Sequence, residues 1–117
     1  MALPSRVLGA GTSSLATVSI CGDAATVVGA GASTGNATQI ASVITNVSTA
    51  AASTGVKLPK CEAGAECFIY NAGANTLAVY PATGDTINGT TSVTIATTKS
   101  RKFFGISATA WVSMLGA

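Results

Sequence analysis

Side chains alternate with a period of two along several short runs of the chain. In SVTIATT (92–98), Val93 and Ile95 alternate with Thr94 and Ala96, and in ECFIYN (66–71), Cys67 and Ile69 alternate with Phe68 and Tyr70. Alternation of this kind places every second side chain on the same face of an extended chain, which is typical of a half-buried β-strand. Both runs are therefore predicted to be strands with one face in a core.

Turn signals separate these runs and predict how the strands are connected. The residues AGAN (72–75) join ECFIYN (66–71) to TLAVYP (76–81), which predicts a hairpin. SRKFFGIS (100–107) and AWVSML (110–115) predict a second hairpin near the end of the chain. Short strands that follow one another at this close, regular spacing indicate a mainly β fold, expected here as an antiparallel β-sandwich or barrel.

The middle of the chain is ambiguous between helix and strand. Within residues 37–52, apolar side chains recur at helical spacing, but β-branched residues are dense and lose rotamer freedom in a helix. This density favours a strand over SVITNVST (42–49). A further short strand is expected in GVKLP (55–59), and residues 37–117 are interpreted as one antiparallel β domain.

Residues 1–36 differ in composition, with few large apolar side chains and many Gly, Ala, Ser and Thr residues. Short strands are predicted at LATVSI (15–20) and ATVV (25–28), followed by a loop over 29–36. We interpret residues 1–36 as an extended N-terminal arm. A neighbouring subunit would hold such an arm in place.

Charge is sparse, at 9% of residues against about 25% in an ordinary soluble domain. Little repulsion then opposes association, which favours an oligomer or a component of a larger assembly. The net charge of +2 does not indicate nucleic-acid binding. Half of the six basic residues lie in KSRK (99–102). This segment is interpreted as a solvated strand edge, with contact to an acidic partner surface as the alternative.

The sequence contains few residues in patterns suited to catalysis, so an enzyme is not expected. The chain has no histidine to serve as a base for a nucleophile, and its glycine-rich stretches lack the spacing of phosphate-binding loops. Three cysteines without histidine form no zinc pattern, so no metal or other cofactor is expected. Cys61 and Cys67 flank the turn EAGAE and are a candidate disulfide, although free buried thiols are the favoured interpretation.

Targeting signals are also weak. Gly, Ser and Thr interrupt any apolar core in the segment 1–25, so a secretory signal is not expected. No run approaches the roughly 20 apolar residues that a membrane span needs. The sequence predicts a soluble, non-secreted protein with no membrane partner.

Three segments resemble known proteins: TGVKLP (54–59), IYNAGANTLAVYPATGDTING (69–89) and TTKSRKFFGISATAWVSML (97–115). Their order resembles small β-rich structural proteins of tailed bacteriophages, over about residues 37–117. The resemblance implies a virion component without enzymatic activity. Within that group, small size and β structure favour a capsid decoration (cement) protein, which is often a homotrimer.

Such proteins bind the major capsid protein on the outer shell and stabilise it against the pressure of packaged DNA. The resemblance thus implies synthesis in the bacterial cytoplasm, a place on the capsid surface, and no direct contact with nucleic acid. The alternative is a receptor- or glycan-binding module of a tail or head fibre. A head-completion protein of the neck is a third, weaker hypothesis.

Partner contacts are predicted for a few residues. Arg6 would anchor the arm by its charge, and Lys99, Arg101 and Lys102 would face an acidic surface of a neighbour. Trp111, with Phe103 and Phe104, would fill either the core or a subunit contact. No catalytic, cofactor-binding or metal-binding residue is predicted.

Overall fold

A computed structural model of the chain describes Gly11 and residues 22–116. The described part contains strands and turns and no helix, so none of it could cross a membrane as a helix. The mainly β fold predicted from the sequence is confirmed. The strands are β1 (Ala24–Val28), β2 (Thr38–Gln39), β3 (Ile44–Thr49), β4 (Gly55–Lys57), β5 (Glu66–Asn71), β6 (Leu77–Tyr80), β7 (Thr86–Ile87), β8 (Val93–Ile95), β9 (Ser100–Gly105) and β10 (Ala110–Gly116).

The first six strands wind between two sheets. A six-stranded sheet has the order β1-β3-β5-β9-β10-β7, and a four-stranded sheet has the order β2-β4-β6-β8. Strands β1, β3 and β5 are parallel neighbours, as are β2, β4 and β6. Ala24 pairs with Ile44, and Ile44 in turn pairs with Phe68, so these three positions stack on successive circuits of the chain. This is the winding of a β-solenoid.

The last four strands end the parallel winding, because β8 and β9 run against the direction of the circuits. Strand β8 is antiparallel to β6, and β9 is antiparallel to β5. Strand β10 then pairs antiparallel with β9, while the two-residue β7 lies parallel to β10 at the sheet edge. The fold therefore combines parallel circuits with an antiparallel end.

Two expectations from the sequence are wrong. The fold is a β-solenoid and not an antiparallel sandwich or barrel, because successive circuits stack in parallel register. The runs 66–71 and 76–81 do not form a hairpin, because β5 belongs to the six-stranded sheet and β6 to the four-stranded sheet. The residues between them form a corner, not a hairpin loop. The Asn71 amide sits inside that corner, donating to the carbonyl oxygens of Asn75 and Ile95.

Other local predictions are confirmed. Strand β3 lies within the run 42–49, β1 closely matches the run 25–28, and β9 and β10 form the predicted final hairpin. The predicted strand at 15–20 lies outside the described residues. Strand β1 is paired to β3 inside the six-stranded sheet, so this part of the predicted arm belongs to the sheet. The boundary at residue 36 stays a prediction.

The core lies between the two sheets and consists of the inward side chains of both. Trp111 and Phe103, the largest of them, come from β10 and β9 and are fully buried. The buried side chains that surround them come from every circuit: Ile40, Val47, Val56, Leu58, Ile69, Leu77, Val79, Ile87 and Ile95. Since these side chains occupy the inside, the alternate positions of each strand point outward, and these outward positions define the candidate site.

Candidate functional site

Large apolar side chains cover the outward face of the six-stranded sheet. Along β5 burial alternates strictly, with Glu66, Phe68 and Tyr70 exposed and the residues between them buried. Phe68 and Tyr70 are 38% and 42% exposed. We define the outer apolar face as these two aromatic residues together with outward side chains of β3, β9 and β10. Its members are Ile44, Phe68, Tyr70, Lys102, Phe104 and Met114.

The strand register brings four of these side chains into one row. Ile44 on β3 pairs with Phe68 on β5, Phe68 pairs with Lys102 on β9, and Lys102 pairs with Met114 on β10. Ile44 and Met114 are 52% and 62% exposed. Residues directly opposite each other on neighbouring strands have their Cβ atoms about 5 Å apart. The row is thus a continuous strip of side chains across four strands, with one cation in it.

The cation of this row is held between two aromatic rings. The Lys102 ammonium nitrogen lies 4.6 Å from the centroid of the Phe68 ring and 4.7 Å from that of Phe104. Glu66 completes the group, with its Oε1 atom 3.9 Å from the same nitrogen. Cation–π contacts of this length are attractive because the ring faces carry negative potential. Lys102 is therefore fixed over the face and does not extend freely into solvent.

The outward face of the four-stranded sheet has a different character. Its outward positions hold small or polar side chains, with Gln39, Lys57 and Tyr80 in one row and Ala78 beside Thr94 in the next. The Tyr80 hydroxyl donates to the carbonyl oxygen of Ala32. All exposed large apolar side chains recorded on described strands belong to the six-stranded sheet. The molecule is therefore one-sided.

The outer apolar face is small. Three strand spacings of about 4.8 Å and four residue steps of about 3.3 Å give a flat area of roughly 200 Å². A stable complex of two isolated proteins usually buries about 800 Å² on each partner. A single contact through this face would be weak, so the face suits a contact that is repeated many times.

The basic residues of KSRK (99–102) do not form one basic patch, because their side chains point in different directions. Lys102 points outward into the face, whereas Arg101 points the other way. The Arg101 guanidinium donates to Ser113 Oγ at 2.7 Å and to the Thr94 carbonyl oxygen at 3.3 Å, so it links β9 to strands of both sheets. Its Nε atom is buried and has no hydrogen-bond partner among the described residues. Arg101 therefore has a structural position, and a charge reversal there would disturb the fold.

The remaining predicted contact residues are also separated. Trp111 is 1% exposed and lies in the core, so of its two predicted positions it takes the core. Phe103 is buried beside it, while Phe104 joins the outer apolar face. Lys99 is exposed just before β9. Arg6 lies outside the described residues.

Cys61 and Cys67 are free, buried thiols in the structure, which contains no bridge between them. Cys61 Sγ contacts the carbonyl oxygens of Ser107 and Ala110 at 3.2 and 3.3 Å. Burial, followed by the nearby Asp85 carboxylate, raises the pKa of the Cys61 thiol. The thiol is therefore protonated at neutral pH and serves as a packing group.

Asp85 is buried and links distant parts of the chain. Its carboxylate accepts a hydrogen bond from the Cys61 amide at 2.9 Å and pairs with the Lys60 ammonium. These partners lie 24 and 25 residues away in the sequence and not in the turn that contains Asp85. The ion pair attaches the segment before β5 to the segment before β7.

A cleft of about 350 Å³ opens beside the ends of β3 and β5, and its walls include Ser42, Lys60, Glu62, Cys67 and Trp111. A nucleophile needs a base within hydrogen-bond reach, and Cys67 has none recorded among the described residues. Those residues also contain no group of three potential metal ligands. The cleft therefore holds no recognisable catalytic constellation.

Ionisation of Cys67 is expected to reduce stability at high pH. Burial raises the pKa of this thiol from 9.0 to about 12. Below pH 9 the thiol is neutral in both states and has no effect. Between pH 9 and about 12 only the unfolded chain loses the proton, so the free energy of unfolding falls by at most about 1.4 kcal/mol per pH unit.

Urea unfolding of the wild type and of Cys67→Ala at pH 8, 9.5 and 10.5 would measure this effect. The variant has a cavity cost at every pH, but its stability should fall less steeply than that of the wild type. Cys61 is retained in both proteins and its contribution cancels. If the free energy of unfolding fell equally steeply with pH in the two proteins, the raised pKa of Cys67 would be contradicted.

Sequence reasoning did not identify the aromatic face as a site. Phe68 and Tyr70 alternate with Cys67 and Ile69, and because both pairs are apolar the sequence does not show which pair faces outward. Comparisons of this chain with protein families, curated proteins and solved structures find no match.

Proposed function

We propose that this chain is a structural protein of a tailed-bacteriophage particle, a capsid decoration (cement) protein that rests on the outer shell through its outer apolar face. The observation that carries the proposal is the one-sidedness of the molecule. The outward face of the six-stranded sheet carries the exposed side chains of Ile44, Phe68, Tyr70 and Met114, whereas the outward face of the four-stranded sheet carries small or polar side chains. The outward face of the six-stranded sheet is suited to contact with a protein shell, and that of the four-stranded sheet to contact with solvent.

The small size of the face supports a lattice partner over an isolated one. A contact of this area is weak by itself, but a shell repeats the same site many times. A protein that binds only the assembled shell stabilises it by mass action. The major capsid protein is thus the proposed partner, with the chain placed on the capsid surface after synthesis in the bacterial cytoplasm. The homotrimer stays part of the proposal.

The resemblance of residues 37–117 to small β-rich phage proteins supports the same assignment. The described part of this region is built from short strands with tight corners, and its two catalytically plausible thiols are buried and protonated. A sheet whose described thiols are buried and protonated is consistent with a structural role. No nucleic acid, membrane or cofactor is included in the proposal.

A fibre module that binds glycans is the second candidate, because exposed aromatic rings with a nearby carboxylate are a common feature of sugar sites. Phe68, Tyr70 and Glu66 provide these groups. However, Lys102 lies over the rings of both Phe68 and Phe104, so a sugar would have to displace the ammonium group before it could stack on either of these two rings. This geometry favours a protein surface as the partner.

Particle composition tests the assignment directly. In particles of the phage that encodes this chain, its band on a denaturing gel should approach the molar amount of the major capsid protein. Particles made without the chain should lose their contents at a lower temperature. A copy number of only a few per particle, or unchanged heat resistance without the chain, would overturn the decoration role, and the low copy number would favour the fibre module.

The binding face is tested by Phe68→Ser. This change should weaken binding to particles made without the chain by about 30-fold or more, since a central aromatic contact typically contributes about 2 kcal/mol or more. Ile106→Ser is the matched control, because Ile106 is 62% exposed but lies on the loop after β9. Equal binding by both variants would show that the partner uses another surface.

A further inference from the structure

The single cation in the outer apolar face determines what kind of surface can cover it. Lys102 lies in the row between Phe68 and Met114, and Phe104 lies two positions further along β9 on the same face. Any partner that covers the aromatic and aliphatic residues of this face must also cover the ammonium group. Removing a charge from water is unfavourable unless the partner supplies a compensating group.

The chain itself compensates this charge incompletely. An ammonium group has three hydrogen-bond donors, whereas Glu66 approaches only to 3.9 Å, which is beyond hydrogen-bond length. The Phe68 and Phe104 rings attract the cation but accept no conventional hydrogen bond. The Glu66 side chain is 53% exposed and lies at the end of β5, toward the edge of the face. The outward side of the ammonium group is therefore open to an acceptor from the partner.

We propose that Lys102 is the specificity-determining residue of the outer apolar face, and that the partner is a protein surface that presents a carboxylate to Lys102 from within an apolar patch. This inference rests on the proposed decoration role and adds the chemistry of the contact. The apolar patch would cover Ile44, Phe68 and Met114. The carboxylate would complete the hydrogen bonds of the ammonium group.

A second copy of the chain is a poorer occupant. Two copies meeting through this face would make a single contact over a flat area of roughly 200 Å², without the repetition that a lattice provides. Strands β5 and β9 contribute only Glu66 as an acid to this face, and that residue already lies beside Lys102 of its own chain. A partner with its own unpaired carboxylate fits the charge of the face better.

The three cations predicted to face an acidic neighbour are thereby distinguished. Arg101 is engaged between the sheets by Ser113 and Thr94. Lys99 precedes β9 and lies outside the face. Only Lys102 combines an outward position with an apolar surround, so only its charge is desolvated when the face is covered.

The test measures binding of the purified chain to particles of the encoding phage made without it. Lys102→Met keeps the apolar stem but would leave the partner's carboxylate buried without a counter-charge, so binding should weaken by about tenfold or more. Lys102→Glu should abolish binding. Lys102→Arg should stay within about tenfold of the wild type, because a guanidinium pairs with carboxylates and stacks on rings. Lys99→Met is the matched control and should bind as the wild type does.

The salt dependence of binding tests whether Lys102 meets a charged group on the partner. Raising the salt concentration should weaken the wild type more than Lys102→Met, because the ion pair is partly screened. Far-ultraviolet circular dichroism and thermal unfolding verify the fold of each variant, and Lys102→Arg keeps the test valid if the methionine variant is unstable. If the wild type binds no particle, the decoration role fails, and this inference fails with it. If the wild type binds and Lys102→Met binds equally or more tightly, or if salt affects both alike, only this inference is overturned.

Discussion

Replacing Asn71 with leucine is expected to lower the free energy of unfolding by about 3–5 kcal/mol. The Asn71 side chain is fully buried at the corner between β5 and β6. Its amide nitrogen donates to the carbonyl oxygens of Asn75 and Ile95 at 2.8 and 2.9 Å, and its oxygen accepts from the Gly73 amide at 2.9 Å. Leucine has a similar volume but satisfies none of these three backbone groups, and each unsatisfied buried group costs about 1–3 kcal/mol.

Urea unfolding followed by tryptophan fluorescence would measure the effect, since Trp111 is the only tryptophan in the chain. Asn75→Ala is the matched control in the same corner. Asn75 is exposed, and its side chain makes one hydrogen bond, to the Ala50 carbonyl oxygen at 2.9 Å, so its loss should cost about 1 kcal/mol. A loss for Asn71→Leu no greater than that for Asn75→Ala would show that the Asn71 hydrogen bonds do not stabilise the corner.

Replacing Gly105 with alanine is expected to cost about 3–4 kcal/mol. A Cβ atom at this position would lie 2.0 Å from the Glu62 carbonyl oxygen and 3.2 Å from Cys61 Sγ. The backbone cannot move away without loss. The Gly64 amide donates to the Gly105 carbonyl oxygen, and the Gly105 amide donates to the Ala65 carbonyl oxygen, both at 2.8 Å. The added methyl group must therefore separate β9 from the turn before β5.

Gly64→Ala in the same turn is the control for this substitution. A Cβ atom at Gly64 meets nothing within 4 Å, and only the φ of +88° opposes it, which costs about 1–2 kcal/mol. Thermal unfolding of both variants compares a steric clash with backbone strain alone. If Gly105→Ala unfolds at the same temperature as Gly64→Ala, the contact between β9 and this turn is looser than the structure indicates.

The positions of most strands were predictable from the sequence, but which strands pair with each other was not. Alternation identified β5 and β8, the predicted final hairpin matched β9 and β10, and β-branched residues correctly favoured strand β3. The same pattern cannot distinguish a strand that pairs with its neighbour in the chain from one that pairs with a strand a circuit earlier. Both arrangements bury one side of the strand and expose the other. The predicted hairpin at 66–81 failed for this reason.

One overlooked pattern could have indicated the parallel circuits. The tripeptide Gly-Ala-Gly occurs at 9–11 and again at 29–31. The offset between these two copies equals the offset between Ala24 and its strand partner Ile44. Repetition at a fixed interval is the sequence signature of a solenoid, but one repeated tripeptide is a weak signal here, because the next circuit, from Ile44 to Phe68, has a different length.

The candidate site was predictable only in part. Arg101 and Lys102 are adjacent in a strand, so alternation alone implies that they point to opposite faces. In ECFIYN, by contrast, both alternating sets are apolar, and no local rule decides whether Cys67 and Ile69 or Phe68 and Tyr70 face the core. The structure places the smaller pair inside, because Phe103 and Trp111 already fill the space between the sheets.

The sequence by itself determined that the chain is β-rich, sparsely charged and without histidine, and it located most of the strands. These properties depend on composition and on contacts between neighbours in the chain. Tertiary structure alone decided that successive circuits stack in parallel, that Asn71 and Asp85 hold distant segments together, and that Lys102 lies among aromatic rings on an exposed face. Those features depend on register between strands that are far apart in the chain, which is set by packing across the whole core and not by any local pattern.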